Sequence, residues 1–109
     1  MKIAVSSKGA GLGAWMEAEL NQCGFLMIVD EAGDFSAIEN PACHEAAQNE
    51  ITLAEAAIAQ GVGALIAGSV GTAAQKLLRE NGIGIYYAQS GSILELVEQY
   101  TDGKLAAMD

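Results

Sequence analysis

Residues 64–75 read ALIAGSVGTAAQ, and this stretch decides the kind of fold that the chain can adopt. Its first four residues are an apolar run typical of a short buried strand. Its end, from Thr72 to Gln75, fits the capping box S/T-x-x-E/Q, in which side chains satisfy N–H groups that the first helical turn leaves unpaired. Residues 83–87 predict a second buried strand. Because these strands flank one helix, we expect them to be parallel, with a right-handed crossover.

The same capping pattern predicts two further helices. It recurs at Thr52 and at Ser92, and a glycine follows each of the three helical stretches, at positions 61, 82 and 103. Glycine is favoured just after a helix, where the backbone often turns left-handed. In the last helix, residues 92–101, four apolar side chains recur at helical spacing and are interpreted as core packing: Ile93, Leu96, Val97 and Tyr100.

The first half of the chain is dominated by strand patterns. Residues 2–6 predict a first strand, residues 25–30 predict a central second strand, and residues 35–40 predict an edge strand hairpinned to the second. Residues 15–22 are interpreted as a short helix. The sequence therefore predicts an α/β fold, a single domain over residues 1–109. Its mixed five-stranded sheet would combine an antiparallel hairpin with a parallel βαβ half, flanked by helices.

Composition narrows the classes of partner. The chain has 109 residues, of which 51% are hydrophobic and 17% charged, and this balance excludes intrinsic disorder. Five basic and fourteen acidic residues give a net charge of −9, which argues against nucleic acid and anionic membranes as partners. No apolar run approaches the roughly 18–20 residues that span a bilayer, and the N-terminus does not fit a signal peptide. We expect a cytoplasmic protein whose Cys23 and Cys43 are reduced thiols.

Three side chains stand out as candidate metal ligands: Cys23, Cys43 and His44. Thiolate suits copper(I), iron–sulfur and molybdenum–sulfur species, and imidazole suits several metals. Cys23 precedes the second predicted strand, and the other two follow the third. Because those strands form a hairpin, the three groups are predicted to meet at one end of the sheet. The alternative is a buried, inert Cys23 with the other two exposed in a loop.

Glycine-rich loops follow three of the predicted strands, at residues 9–13, 68–72 and 90–92. Parallel sheets bind ligands at the carboxyl ends of their strands, and helix N-termini accept anions. These loops therefore predict contacts with an anionic ligand. The alternative is that they are plain turns and caps. The predicted contact residues are Gly11, Gly13, Gly68, Ser69, Gly71, Thr72 and Ser90.

Trp15 and Met16 lie beside the first of these loops. They are interpreted either as a lid over a ligand or partner surface, or as apolar groups that fold back onto the core. His44 is the only histidine, and the sequence has no GxSxG, HExxH or GxxxxGK[ST] motif. We therefore expect a protein that is not an enzyme.

Six ordered stretches carry a resemblance that covers almost the whole chain: residues 1–6 (MKIAVS), 25–30 (FLMIVD), 39–41 (ENP), 61–71 (GVGALIAGSVG), 81–83 (NGI) and 103–105 (GKL). They resemble the dinitrogenase iron–molybdenum cofactor biosynthesis family, which includes small nitrogenase cofactor carriers and orange proteins. The resemblance implies a ribonuclease-H-like mixed sheet. It also implies binding or carriage of a metal–sulfur cluster of molybdenum, iron or copper, or of its precursor.

The chain departs from that family before the second strand. Many relatives have Ser-Glu-His-Phe-Gly-Arg there, whereas residues 17–22 read EAELNQ, so Glu19 stands where the family has its histidine. Cys23, Cys43 and His44 then remain as the candidate ligands. The alternative is a cofactor-free module whose acidic faces and Trp15 loop dock a partner, such as an iron–sulfur-assembly ATPase. The chain would be a monomer, or a weak homodimer paired through residues 35–40.

Overall fold

Short apolar and β-branched runs pair into one mixed sheet, and helices pack on its two faces. The computed structural model describes residues 2–11, 13–18, 20, 24–30, 32–39 and 46–107, with the backbone alone at 46–50. In that part of the chain the strands are β1 Lys2–Ser7, β2 Phe25–Val29, β3 Phe35–Glu39, β4 Val62–Ala67, β5 Gly84–Tyr87 and β6 Ala106–Ala107. The helices are α1 Ala46–Ala59, α2 Thr72–Glu80 and α3 Ile93–Thr101.

The strand order is β3-β2-β1-β4-β5-β6. β1 pairs in parallel with β4, and β4 with β5, because α1 and α2 return the chain to the same end of the sheet. The other pairs are antiparallel. The predicted hairpin of β2 and β3 is confirmed, with β3 at the edge. Its turn is closed by Asp30, whose Oδ1 accepts the N–H groups of Ala32 and Asp34 at 2.9 and 3.0 Å.

Two hydrophobic clusters lie on opposite faces of the sheet. Alternate strand residues point to opposite faces, so Ala4 packs under α1 and α2, whereas Ile3 and Val5 pack under α3. In α3 the predicted apolar stripe is confirmed. Ile93 and Leu96 are fully buried, while Val97 and Tyr100 pack against the same cluster half-buried. None of the described helices is long and apolar enough to cross a membrane.

Two sequence predictions are wrong. The sheet has a sixth strand, because Ala106–Ala107 pairs antiparallel with β5. Two alanines have no periodic pattern from which a strand could be predicted. Residues 15–18, the first part of the predicted helix at 15–22, are not helical, whereas Leu20 lies in a 3₁₀ turn. Trp15 and Met16 instead form isolated bridges with Ser92 and Ser7, because their backbone groups pair across the fold instead of with a neighbouring turn.

The three capping patterns give three different structures. Ser92 is a true N-cap, and its Oγ accepts the N–H of Glu95 at 3.3 Å. Thr72 is the first residue of α2, and Gly71 occupies the N-cap without a side-chain cap. Thr52 lies inside α1, which begins six residues earlier at Ala46. The predicted terminal glycines are confirmed, each at a positive φ two residues past its helix.

Because the side chain of Ser92 caps a helix and that of Thr72 does not, removing the two side chains should affect stability differently. We expect Ser92→Ala to lower the free energy of unfolding by about 1 kcal/mol, because Glu95 loses its cap. Thr72→Ala should change it by less than about 0.5 kcal/mol, since Thr72 caps nothing. Urea unfolding of both variants measures the two values. Equal losses would contradict the assigned caps.

Candidate functional site

β1, β4 and β5 run parallel, so their carboxyl ends share one edge of the sheet, here called the carboxyl edge. Residues 13–18, the crossing segment, pass over this edge. The N–H of Met16 donates to the carbonyl of Gly91, and the N–H of Ile93 donates to the carbonyl of Ala14, at 3.0 and 2.9 Å. The crossing segment thereby joins the loop after β1 to the start of α3.

Two fully buried serines at the end of β1 fix the loops around them. The Oγ of Ser6 donates to the carbonyl of Glu17 at 2.6 Å, and Glu17 donates its N–H back to the carbonyl of Ser6 at 3.0 Å. The Oγ of Ser7 donates to the carbonyl of Gly9 at 2.6 Å and accepts the N–H of Gly9 at 3.2 Å. Because a buried hydroxyl needs a partner, these bonds explain polar side chains at the centre of the sheet.

The carbonyl of Ala18 is the central acceptor of the carboxyl edge. It accepts the N–H groups of Gly68 and Ser69 at 2.7 and 2.8 Å. A Cβ on Gly68 would lie 2.8 Å from the carbonyl oxygen of Ala88 and 2.9 Å from that of Ala18. Gly68 therefore lies where three backbone segments approach too closely for any side chain.

These hydrogen bonds already use backbone groups that the sequence analysis predicted to contact an anionic ligand. The N–H groups of Gly68 and Ser69 already donate to the carbonyl of Ala18, so the predicted anionic ligand would have to contact other atoms of these residues. The carbonyl of Gly71 accepts the N–H of Gln75 at 2.9 Å. Thr72, next to it, is exposed at the start of α2.

The remaining predicted loop residues lie at the surface. Gly11 and Gly13 are exposed in the turn after β1, with open space where a Cβ would stand. Lys8 and Ser90 are exposed in the loops after β1 and β5. These loops and the start of α2 form the rim of the carboxyl edge.

The two interpretations of Trp15 and Met16 each hold for one of the two residues. Met16 is 3% exposed and packs in the cluster under α3, as a residue folded onto the core does. Trp15 is 60% exposed and pairs with Ser92 at the rim. The alternation of a β-bridge sends consecutive side chains to opposite sides, which explains the split.

Cys23, Cys43 and His44 lie outside the described residues, as does Glu19. The described residues near Cys23 and at the end of β3 lie at the carboxyl edge, because Phe25 pairs both with Ser7 and with Glu39. The predicted convergence of the three ligands stays a prediction. Among the residues described, no group of three or more His, Cys, Asp or Glu side chains is placed to hold a metal ion.

A groove lies between α3 and the sheet, near the start of β1. This groove measures about 720 Å³, and Tyr86 and Tyr100 line it. Their rings meet edge to face, with centroids 4.8 Å apart and planes at 77°. Burial, together with the charge and hydrogen bond of Tyr86, raises the pKa of Tyr100 above its ordinary value.

The sequence interpretation missed this groove. Tyr100 falls on the apolar stripe of α3, and its spacing is that of an ordinary core residue. The open space arises because α3 is the one described helix that packs on this face, which no local pattern records.

Comparison with known proteins identifies a family. The sequence profile described as dinitrogenase iron-molybdenum cofactor matches residues 1–103. No protein of curated function matches the sequence. Among solved structures, the apo form of the orange protein from Desulfovibrio gigas is 24% identical with a TM-score of 0.90, and the match covers 98% of this chain and 92% of that one.

Two other solved structures share the fold. A protein from Thermotoga, proposed as a NifB protein, is 24% identical with a TM-score of 0.82, over 97% of this chain and 91% of that one. A proposed dinitrogenase from Methanocaldococcus jannaschii is 17% identical with a TM-score of 0.74, over 100% and 95% of the two chains. At these identities the likeness establishes the fold alone.

The close approach at Gly68 predicts a large effect of one methyl group. Gly68→Ala should lower the free energy of unfolding by about 1–3 kcal/mol, because two carbonyl oxygens and the Ala18 side chain must move away. Gly13→Ala is the matched control, and we expect a change within about 0.5 kcal/mol because its Cβ meets open space. Urea unfolding compares them. A Gly68→Ala protein as stable as the control would contradict the packing.

The tyrosine pair predicts a stability that depends on alkaline pH. A raised pKa of Tyr100 means that folding favours the neutral phenol. This contribution is fully present below the unfolded pKa of about 10 and is lost as pH rises through the folded pKa. Absorbance at 295 nm, compared between wild type and Tyr100→Phe, gives the pKa, and urea unfolding from pH 8 to 11 gives the stability. Titration of Tyr100 at or below its ordinary pKa would contradict the assignment.

Proposed function

Because the chain belongs to the dinitrogenase iron-molybdenum cofactor family, we propose that it is a non-enzymatic carrier of a metal–sulfur cluster or of its precursor. The observation that carries this proposal is the family match over residues 1–103. The cluster is cargo, built from sulfide with molybdenum, iron or copper. A cluster-assembly ATPase or an acceptor protein is the partner that a carrier requires.

The rim of the carboxyl edge is the proposed place of contact. A backbone cradle at Gly68 and Ser69 is disfavoured, because Ala18 already accepts their N–H groups. Metal–sulfur species are soft, so thiolates are their natural protein ligands. We therefore assign the direct contacts to Cys23 and Cys43, with His44 as a further ligand.

Exposed loop residues complete the proposed contact surface. Gly11 and Gly13 leave open space for cargo to approach the backbone, and Thr72 and Ser90 offer hydroxyl groups at the same edge. The net charge of −9 repels an anionic cluster at long range. Lys8, exposed in the loop after β1, offsets part of this repulsion locally. Coordination bonds at short range have to supply the rest.

An anaerobic titration tests the carrier function. The metal-free protein is mixed with tetrathiomolybdate and copper(I), or with iron and sulfide, then desalted and assayed by visible absorption and by metal content. Trp15 is the only tryptophan and lies at the rim, so its fluorescence should be quenched by bound cargo. We expect retained, coloured cargo in stoichiometric amount.

A Cys23→Ser/Cys43→Ser variant tests the ligands in the same experiment. We expect at least about a tenfold loss of retained metal, the scale on which altering a metal site changes affinity. Circular dichroism checks that the variant is folded. Full retention in the variant would overturn the thiol assignment and leave the carrier function standing. A wild type that stays colourless and metal-free would overturn the carrier function.

The exposure of Trp15 favours a second candidate, a cofactor-free module that docks an iron–sulfur-assembly ATPase. A large aromatic side chain that is 60% exposed is a typical anchor of a protein interface. The titration separates the two candidates. The docking module predicts no retained metal and unchanged Trp15 fluorescence, together with binding to the purified ATPase.

A further inference from the structure

The turn between α2 and β5 contains the one asparagine of the sequence that a glycine follows. Asn81 is the C-cap of α2, and Gly82 comes next at a φ of 75°. Both residues are exposed to solvent. The turn lies at the end of the sheet opposite to the carboxyl edge, because α2 begins after β4 and ends before β5. It is therefore separate from the proposed cargo site.

An asparagine followed by glycine can react with its own backbone. The Gly82 nitrogen gives up its proton to a solvent base and forms a bond to Cγ of Asn81. The bond from Cγ to Nδ2 breaks, and the departing nitrogen takes up a proton and leaves as ammonia. Water then opens the succinimide ring at one of its two carbonyls, which gives aspartate or isoaspartate. Water is the only co-reactant that this deamidation requires.

Glycine is the neighbour that hinders this ring closure least, because it has no side chain. The other three asparagines of the sequence are followed by glutamine, proline and glutamate. Proline has no N–H proton to lose, and the side chains of glutamine and glutamate crowd the attacking nitrogen. These three asparagines are Asn21, Asn40 and Asn49. The sequence therefore singles out Asn81.

The folded helix end holds the reacting atoms apart. Nδ2 of Asn81 donates to the carbonyl of Leu77 at 2.9 Å, and the N–H of Gly82 donates to the carbonyl of Arg79 at 3.0 Å. The ψ of Asn81 is 13°, which turns the Gly82 nitrogen away from the Asn81 side chain. Ring closure therefore has to break two hydrogen bonds and rotate the Cα–C bond of Asn81.

We propose that Asn81 is a site of spontaneous deamidation and that opening of the end of α2 controls the reaction. Helix ends open at a lower free-energy cost than a core does, so the native protein reaches the reactive geometry. The product has a carboxylate where the side chain of Asn81 donated to Leu77, at the negative end of the α2 dipole. The modification therefore weakens the turn that leads into β5. Binding of cargo has no part in the proposal.

Incubation of the folded and the unfolded chain tests the site and its control. The protein is kept at pH 8 and 37 °C in buffer and in guanidinium chloride that unfolds it. Peptide mass spectrometry follows the exchange of ammonia for water at each asparagine. We expect Asn81 to react first in both conditions, and at least about tenfold more slowly in the folded protein. Faster reaction at another asparagine, or equal rates at Asn81 in the two conditions, would overturn the proposal.

A substitution at Asn81 checks the assignment with a second readout. Isoaspartyl carboxyl methyltransferase labels isoaspartate in the incubated protein, and Asn81→Gln should remove most of that label. Circular dichroism checks that the variant is folded. Full labelling of the folded Asn81→Gln protein would overturn the assignment of the site.

A product mimic tests the effect of the modification on the turn. Asn81→Asp should lower the urea midpoint of unfolding at pH 7, because a carboxylate replaces a hydrogen-bond donor at a helix C-terminus. Gln89→Glu is the matched control, since it adds the same charge at an exposed position in the loop after β5. We expect Gln89→Glu to leave the midpoint nearly unchanged. Equal midpoints of the two variants would overturn the proposed weakening of the turn.

Discussion

The carboxyl edge of the sheet depends on one carbonyl group. Ala18 accepts two consecutive N–H groups at the end of β4, and Gly68 supplies the space by having no side chain. These bonds hold the crossing segment against the loop after β4, while Ser6 holds the same segment to β1. These contacts hold the loops of the rim in place, because each loop there is hydrogen-bonded to the crossing segment or to the strand before it.

Closure of this edge limits where the proposed cargo could bind. In an open parallel sheet, a glycine loop and a helix start offer free N–H groups to an anion. Here the first two such groups after β4 are used within the protein. A carrier built this way has to hold its cargo mainly by side chains and by the outer faces of the loops. On the proposed function, the thiols of Cys23 and Cys43 are therefore expected to contribute more to binding than the glycine motif does.

The rim of the carboxyl edge and the groove under α3 differ in chemical character. The rim of the carboxyl edge has Lys8 and exposed hydroxyl groups, whereas the groove under α3 has phenol rings and an apolar lining. The fold separates them because α3 begins at the carboxyl edge and ends near the start of β1.

Sequence patterns predicted those elements whose structure depends on residues close together in the chain. The β2–β3 hairpin and α3 follow from alternation, helical spacing and a true cap at Ser92. The same capping pattern at Thr72 and at Thr52 takes different positions relative to a helix, because the residues before each one decide where its helix begins. β6 and the path of Trp15 depend on distant partners, which a single sequence does not reveal. The groove was missed for the same reason.

Amide hydrogen exchange at Gly68 and Ser69 tests the central claim most directly. Exchange is followed by nuclear magnetic resonance in the metal-free protein and after anaerobic loading with tetrathiomolybdate and copper(I). The account predicts that both amides are protected without metal and that loading leaves their protection unchanged, because Ala18 holds them in both states. Rapid exchange in the metal-free protein, or protection gained only on loading, would contradict it.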